Sequence, residues 1–162
     1  MRTVALDPGI HCGFAWSDDS QAIAARSGVF DASLRHYEGG GLRILRFEKF
    51  LNELFHCEQP KRVFFEAVVW RSQMIGKSKG DLGAGPVIYG ELTGAIMRVC
   101  EERNIPFEGI PVSTIKKHAT GKGNANKAAI VEAAQKKFGP EVTDDNRADA
   151  LWILDYVLGS NF

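Results

Sequence analysis

The chain predicts an α/β fold built on a mixed five-stranded sheet with helices on both faces. Two patterns carry that prediction. Three short apolar runs joined by tight connections open the chain, as in an antiparallel meander. Beyond the breaker Gly39-Gly40-Gly41, helix-spaced segments alternate with β-branched and aromatic ones, which calls for parallel strands added through helical crossovers. A length of 162 residues suits one domain, residues 1–162, with a sizeable core, and is short for two.

The first run, Met1 to Leu6, is a buried strand ending at Asp7, with a turn at Pro8-Gly9. Gly13 to Ser17 forms the second strand, Asp18-Asp19-Ser20 turns, and Ala22 to Phe30 gives the third. From Leu42 to Cys57, Leu45, Phe47, Phe50, Leu51 and Leu54 recur at helical spacing. Pro60 closes that region, and Arg62 to Val69 reads as a central strand with Glu66 embedded in it. Arg71 to Pro86 is polar and Gly-rich, a loop by composition. Val87 to Arg103 is a second helix and Phe107 to Val112 the fifth strand. Ser113-Thr114 has the chemistry of an N-cap opening a short helix to His118. The loop Gly121 to Asn126 follows, then a helix from Lys127 to Phe138 stopped by Gly139-Pro140, and a last helix from Asp144 to Leu158.

Composition excludes some classes. No apolar run is long enough to span a bilayer, and the chain enters its first strand without a charged-then-apolar signal segment. Cys12, Cys57 and Cys100 are odd in number and lack metal spacing, so reduced core thiols in a cytoplasmic protein, bacterial, phage-encoded or organellar, are expected. The formal net charge is zero, which does not advertise a nucleic-acid partner. Its distribution is uneven: Lys116, Lys117, Lys122, Lys127, Lys136 and Lys137 face only Glu132 between positions 116 and 137. Such a run either grips phosphates or is a solvated helix face.

Three acids occupy places that should be apolar. Asp7 ends the first strand, Glu66 lies inside the most hydrophobic strand, and Asp149 adjoins Ala150, Leu151 and Ile153 in the last helix. An ionised carboxylate in a core strand is costly unless compensated. A cation compensates several at once, and hard oxygen ligands without His or Cys select Mg²⁺ or Mn²⁺. Asp145, four residues before Asp149, and Asn146, three before it, share its helix face and can complete the site. The plain structural readings are N-capping for Asp144 and Asp145, and pairing of Glu66 with Lys116 or Arg147.

Leu6-Asp-Pro-Gly9, Phe65-Glu66, the stretch Val112 to Val131 and Ala148-Asp-Ala-Leu151, in this order, resemble the motifs of the RNase H-like nuclease superfamily. Within it the chain most resembles the RuvC-type Holliday junction resolvases, over nearly its whole length. The resemblance implies a structure-selective endonuclease that cuts four-way DNA junctions in a homodimer, by metal-dependent hydrolysis leaving a 5′ phosphate and a 3′ hydroxyl. It implies two Mg²⁺ per site (Mn²⁺ also serving) roughly 3.5–4 Å apart. Asp7 would bridge them, Glu66 would hold one, and Asp149 with Asp145 the other. Lys116 and Lys127 match the family's two lysine positions and would offset transition-state charge. Two positions depart from the pattern. Asn146 stands where the family carries Asp or His, so either Asp145 supplies the charge or Asn146 coordinates through its carbonyl oxygen. Val69 stands at the family's aromatic wedge, with Trp70 next to it, which either stacks on an unpaired base or is a partly buried strand-end aromatic. Arg71, Lys77, Lys79, Lys117 and Lys122 are the expected phosphate contacts. The helix carrying Val87, Ile88, Leu92, Ile96, Met97 and Val99 serves either a dimer interface or the core. Rival readings are an RNase H-like nuclease cutting flaps or RNA–DNA hybrids, a non-catalytic branched-DNA binder, and an actin-like or sugar-kinase-like ATPase. The last needs a second lobe, which the chain lacks.

Overall fold

The computed structural model describes residues 2–17, 26–68 and 85–160. In chain order the elements are β1 (Thr3–Asp7), β2 (His11–Ser17), β3 (Ser27–Asp31), α1 (Gly40–Glu58), β4 (Arg62–Ala67), α2 (Gly85–Glu102), β5 (Phe107–Pro111), α3 (Val112–Thr120), α4 (Lys127–Phe138) and α5 (Asp145–Gly159). The strands form one sheet in the order β3-β2-β1-β4-β5. β1–β2 and β2–β3 pair antiparallel, whereas β1–β4 and β4–β5 pair parallel. This is the mixed sheet expected, in the expected element order.

Side-chain alternation splits the sheet into two faces. Val4, Leu6, Cys12, Val63 and Phe65 point toward α1 and α2, where Phe47, Leu51, Phe55, Leu92, Ile96 and Val99 complete a core. Ala5, Ala15 and Phe64 point the other way, under α3, α4 and α5, where Ile115, Ile130, Leu151, Ile153, Leu154 and Val157 complete a second. Burying each Leu, Ile or Phe contributes roughly 1.5–3 kcal/mol, so both layers hold the sheet. On α2 the inner residues Leu92, Ile96 and Val99 are core, while Val87 is 63% and Met97 39% exposed. Among the described residues no helix is long and apolar enough to cross a membrane.

Several local expectations shift. β2 begins at His11 rather than Gly13, because its antiparallel pairing with β3 extends to His11↔Asp31. The first four residues of the Ala22–Phe30 run lie outside the described residues, and β3 starts at Ser27. Helix α3 is not capped by Ser113 or Thr114. It follows β5 without a loop, and its N-cap Pro111 makes no side-chain cap hydrogen bond. Cys12 and Cys100 are buried thiols, but Cys57 is exposed.

Candidate active site

Parallel strands β1 and β4 lie side by side at the sheet's centre, and both end at a carboxylate or one residue past it. Their register runs from Thr3↔Arg62 to Leu6↔Phe65, so Asp7 and Glu66 come next on adjacent strands. Both project from the face covered by α5: Asp7 shares the parity of Ala5, and Glu66 that of Phe64. Helix α5 lays its first turns across this edge and adds Asp149. Elements distant in sequence thus aim three acids at one half-buried place.

The charges register that proximity. The Asp7 carboxyl is held well above the usual carboxylate range, by burial first and then by Glu66 and Asp149. Burial, then the charge of Asp149, pushes Glu66 up to about 7. Burial, then Asp145, pushes Asp149 up to about 6. Burial and facing like charges act in the same direction on a carboxylate. Lys116 and Lys127 oppose them: both lower Glu66 and Asp149, and Lys127 also lowers Asp7. Lys116 sits on α3 and Lys127 opens α4. Beyond the carboxylates a cleft of about 600 Å³ runs past Ala67, Val68, Ser113, Thr114, Lys116 and Gly123.

Asp144 is the N-cap of α5, its side chain accepting from the Arg147 backbone N–H at 3.0 Å. That leaves Asp145 free for the Lys127 ammonium, with which it forms an ion pair. The pairing holds Asp145 below its ordinary range and raises Lys127. Asn146 turns its amide nitrogen to Asp144 Oδ1 and Asp145 Oδ1, each at 3.4 Å. Of the two basic groups considered for Glu66, Lys116 is the one whose charge it feels. Arg147 donates instead to Ser27 Oγ at 2.8 Å and the Glu141 carbonyl at 3.3 Å. Lys117 is exposed on α3 and lines a second cleft of about 500 Å³ with Ser113, Thr114, His118, Gly123 and Tyr156. Lys122 is exposed in the α3–α4 loop, its backbone N–H bonded to Thr120 Oγ1 at 3.3 Å. Trp70, Arg71, Lys77 and Lys79 lie outside the described residues.

Two features that the sequence did not reveal hold the site together. The first is Gly13, paired with Asp7 across the β1–β2 ladder. A Cβ there would lie 1.9 Å from the Asn146 carbonyl oxygen, so only glycine lets the α5 backbone rest on β2 at this point. The second is a clasp at the far side of α5. His118 Nε2 and Lys137 Nζ both bond Asp155 Oδ2, at 2.7 and 2.6 Å, tying α3 and α4 to α5. It fixes the two helices that present Lys116 and Lys127. A glycine in a strand and a basic pair are too common for sequence alone to flag either.

The donor set suits a hard divalent cation. Asp7, Glu66 and Asp149 offer only oxygen, repel one another, and receive no hydrogen bond from the described residues. Among those residues no three His, Cys, Asp or Glu side chains close into a single ligand sphere. Mg²⁺ is usually held by only one or two carboxylates, with water and phosphate oxygens completing its shell.

No protein-family model matches the chain. It is 27% identical over 156 residues to the crossover junction endodeoxyribonuclease RuvC of Brachyspira hyodysenteriae, covering 94% of this chain and 91% of that protein. It is 24% identical over 160 residues to the RuvC of Gloeobacter violaceus, covering 94% and 85%. Among solved structures it superposes on T. thermophilus RuvC in complex with a Holliday junction substrate, with a TM-score of 0.66 and 19% identity over 95% of this chain and 90% of that one. The chain therefore has the RuvC fold, and it resembles the RuvC crossover junction endodeoxyribonucleases in sequence along nearly its whole length.

Proposed function

We propose that this chain is a metal-dependent endonuclease that resolves four-way DNA junctions by paired hydrolytic nicks. One observation carries the reading: Asp7, Glu66 and Asp149, from β1, β4 and α5, converge at one edge of the sheet under the opposing charge of Lys116 and Lys127. The similarity to RuvC proteins over most of the chain, and to a RuvC bound to a Holliday junction, supports the substrate.

Asp7, Glu66 and Asp149 would hold the divalent ions, Mg²⁺ or Mn²⁺, with Asp7 between the other two. The ions supply the charge that makes water a nucleophile at neutral pH and steadies the leaving 3′ oxygen. The chain's own part is to preset the site. The sheet fixes Asp7 and Glu66 before substrate arrives, so little reorganisation accompanies reaction. Lys116 and Lys127 place positive charge beside the scissile phosphate, where negative charge grows in the transition state. Asp145 keeps Lys127 at the rim of the site by its ion pair and serves as a carboxylate in reserve. Asn146 contributes its backbone contact with Gly13 rather than a charge. Lys117, lining the second cleft, Lys122, exposed in the α3–α4 loop, and Trp70, Arg71, Lys77 and Lys79 would position the DNA strands through backbone contacts and stacking. Products with a 5′ phosphate and a 3′ hydroxyl follow from departure of the 3′ oxygen. Two symmetric nicks need two sites, so the working form is a homodimer, for which Val87 and Met97 provide exposed apolar surface on α2.

The test is a labelled synthetic four-way junction incubated with the protein and Mg²⁺, beside plain duplex, a flap and an RNA–DNA hybrid. Paired symmetric nicks in the junction alone are expected, lost with EDTA. Cutting of the flap or hybrid with the junction intact would retain the site and reject the substrate. Tight junction binding without cleavage would reject catalysis.

A further inference from the structure

Glu66 sits where the β1–β4 ladder fails. The Val63 N–H donates to the Pro106 carbonyl at 3.0 Å, so odd residues of β4 face β5 and the backbone groups of Phe64, Glu66 and Val68 face β1. The parallel register stops at Leu6↔Phe65. One more pair would oppose Asp7 to Glu66. In a parallel ladder the backbone of residue 8 would then donate its N–H to the Glu66 carbonyl and accept from the Val68 N–H. Residue 8 is proline, which has no N–H, and the chain turns away there. Glu66 would be left with an unbonded carbonyl and Val68 with an unbonded amide, at the strand end that carries a site acid.

Tyr89, on the first turns of α2, fills that place. Its hydroxyl donates to the Glu66 carbonyl at 2.9 Å and accepts from the Val68 N–H at 3.0 Å. Those are the two bonds a residue 8 peptide would have made. We propose that Tyr89 is the positioning residue of Glu66: its hydroxyl replaces the missing peptide of β1 and fixes the end of β4, so that Glu66 keeps its place beside Asp7. This rests on the nuclease reading of the three carboxylates. A phenol suits the task because one oxygen is both donor and acceptor, and its ring anchors it in α2.

The decisive variant is Tyr89→Phe, which removes one oxygen and keeps the ring. Three readouts are taken on the full chain: Mn²⁺ affinity without DNA, junction affinity, and the single-turnover nicking rate. Loss of a hydrogen bond that places a reacting group predicts Mn²⁺ binding several-fold weaker and nicking about tenfold slower, with junction affinity within twofold. Pro8→Ala supplies the second arm, since it returns an N–H to residue 8. On that background Tyr89→Phe is expected to cost at least threefold less than on the parent chain, a coupling that general destabilisation would not produce. Mn²⁺ affinity and nicking both within twofold of the parent overturn the proposal, as does an equal loss on both backgrounds. A parent chain that binds Mn²⁺ but cuts no junction refutes the junction-resolving reading by itself, and the Mn²⁺ arm still decides the role of Tyr89.

Discussion

The two faces of the sheet solve the same packing problem with opposite materials. Under α1 and α2 the sheet offers bulk: Val4, Leu6, Phe65, and the partly buried Phe14 and Trp16. Aromatic rings bridge the layers there, Phe30 stacking on Phe50 with centroids 4.5 Å apart and Phe14 tilting onto Phe50 at 5.1 Å. Under α5 the strands β1 and β2 are pared down to Ala5, Ala15 and Gly13, with Phe64 of β4 beside them, and the helix backbone touches β2. Bulky side chains keep a helix at a distance and yield stability. Small ones let it descend until a short Asp149 side chain reaches the ends of β1 and β4. Both faces bury core, but only the α5 face brings Asp7, Glu66 and Asp149 together.

That contrast can be broken most sharply at Asp7. Asp7→Asn should slow nicking on the order of 10²–10³-fold or more, while raising the melting temperature of the metal-free protein, because it removes a buried charge facing two others. A single-turnover rate and a thermal melt of the same preparation check both signs, and a melting temperature that falls would argue that Asp7 is a structural group. Gly13→Ala comes next. The added methyl meets the Asn146 carbonyl, so α5 must shift, and displacing reacting groups by about 1 Å costs on the order of 10²-fold in rate. Overpacking of this kind costs about 1–3 kcal/mol in stability, which urea unfolding reads.

A smaller effect is expected from pH. Glu66, pushed up to about 7, and Asp149, up to about 6, bind protons more tightly folded than unfolded. The stability they add is full below about pH 4, the ordinary carboxylate range, and is lost as pH rises through about 6 to 7. Metal-free protein should therefore lose melting temperature between pH 5 and pH 8, and saturating Mg²⁺ at pH 8 should restore it. A melting temperature indifferent to Mg²⁺ at pH 8 would count against the metal site. Least effect on chemistry is expected from Leu51→Ala, fully buried on the apolar face. It should cost about 2–5 kcal/mol in urea unfolding yet leave the nicking rate of folded protein within twofold. A large rate loss there would show that the two faces are coupled.

Much of this architecture was legible beforehand, because it is written in local pattern. The apolar runs of β1 and β4, the helical spacing of α1, the Gly139 stop of α4 and the Asp144 cap of α5 are set by neighbours within a turn or a few residues. Glu66 was legible because a carboxylate in Val63-Phe-Phe-Glu-Ala67 contradicts its surroundings, and Asp149 for the same reason beside Ala150 and Leu151. The capping of α3 was misjudged, because Ser113-Thr114 has the right chemistry, but the strand runs into the helix two residues earlier. The basic run divided across elements in a way spacing did not forecast, Lys127 pairing with Asp145 and Lys137 with Asp155, while Lys136 keeps the i,i+4 partner Glu132 that helical spacing supplies.

The sequence by itself determined the class of fold, the order of its elements and the oxygen-rich character of the acids, since each follows from residue type and short-range period. Only the tertiary structure decided that Gly13 is the seat of α5, that Asp144 caps so that Asp145 can meet Lys127, and that the Tyr89 hydroxyl serves as the strand partner Pro8 cannot be. The reason is physical. Strand register and helix approach bring together residues distant along the chain, and no local periodicity records which carbonyl a proline will leave without a donor.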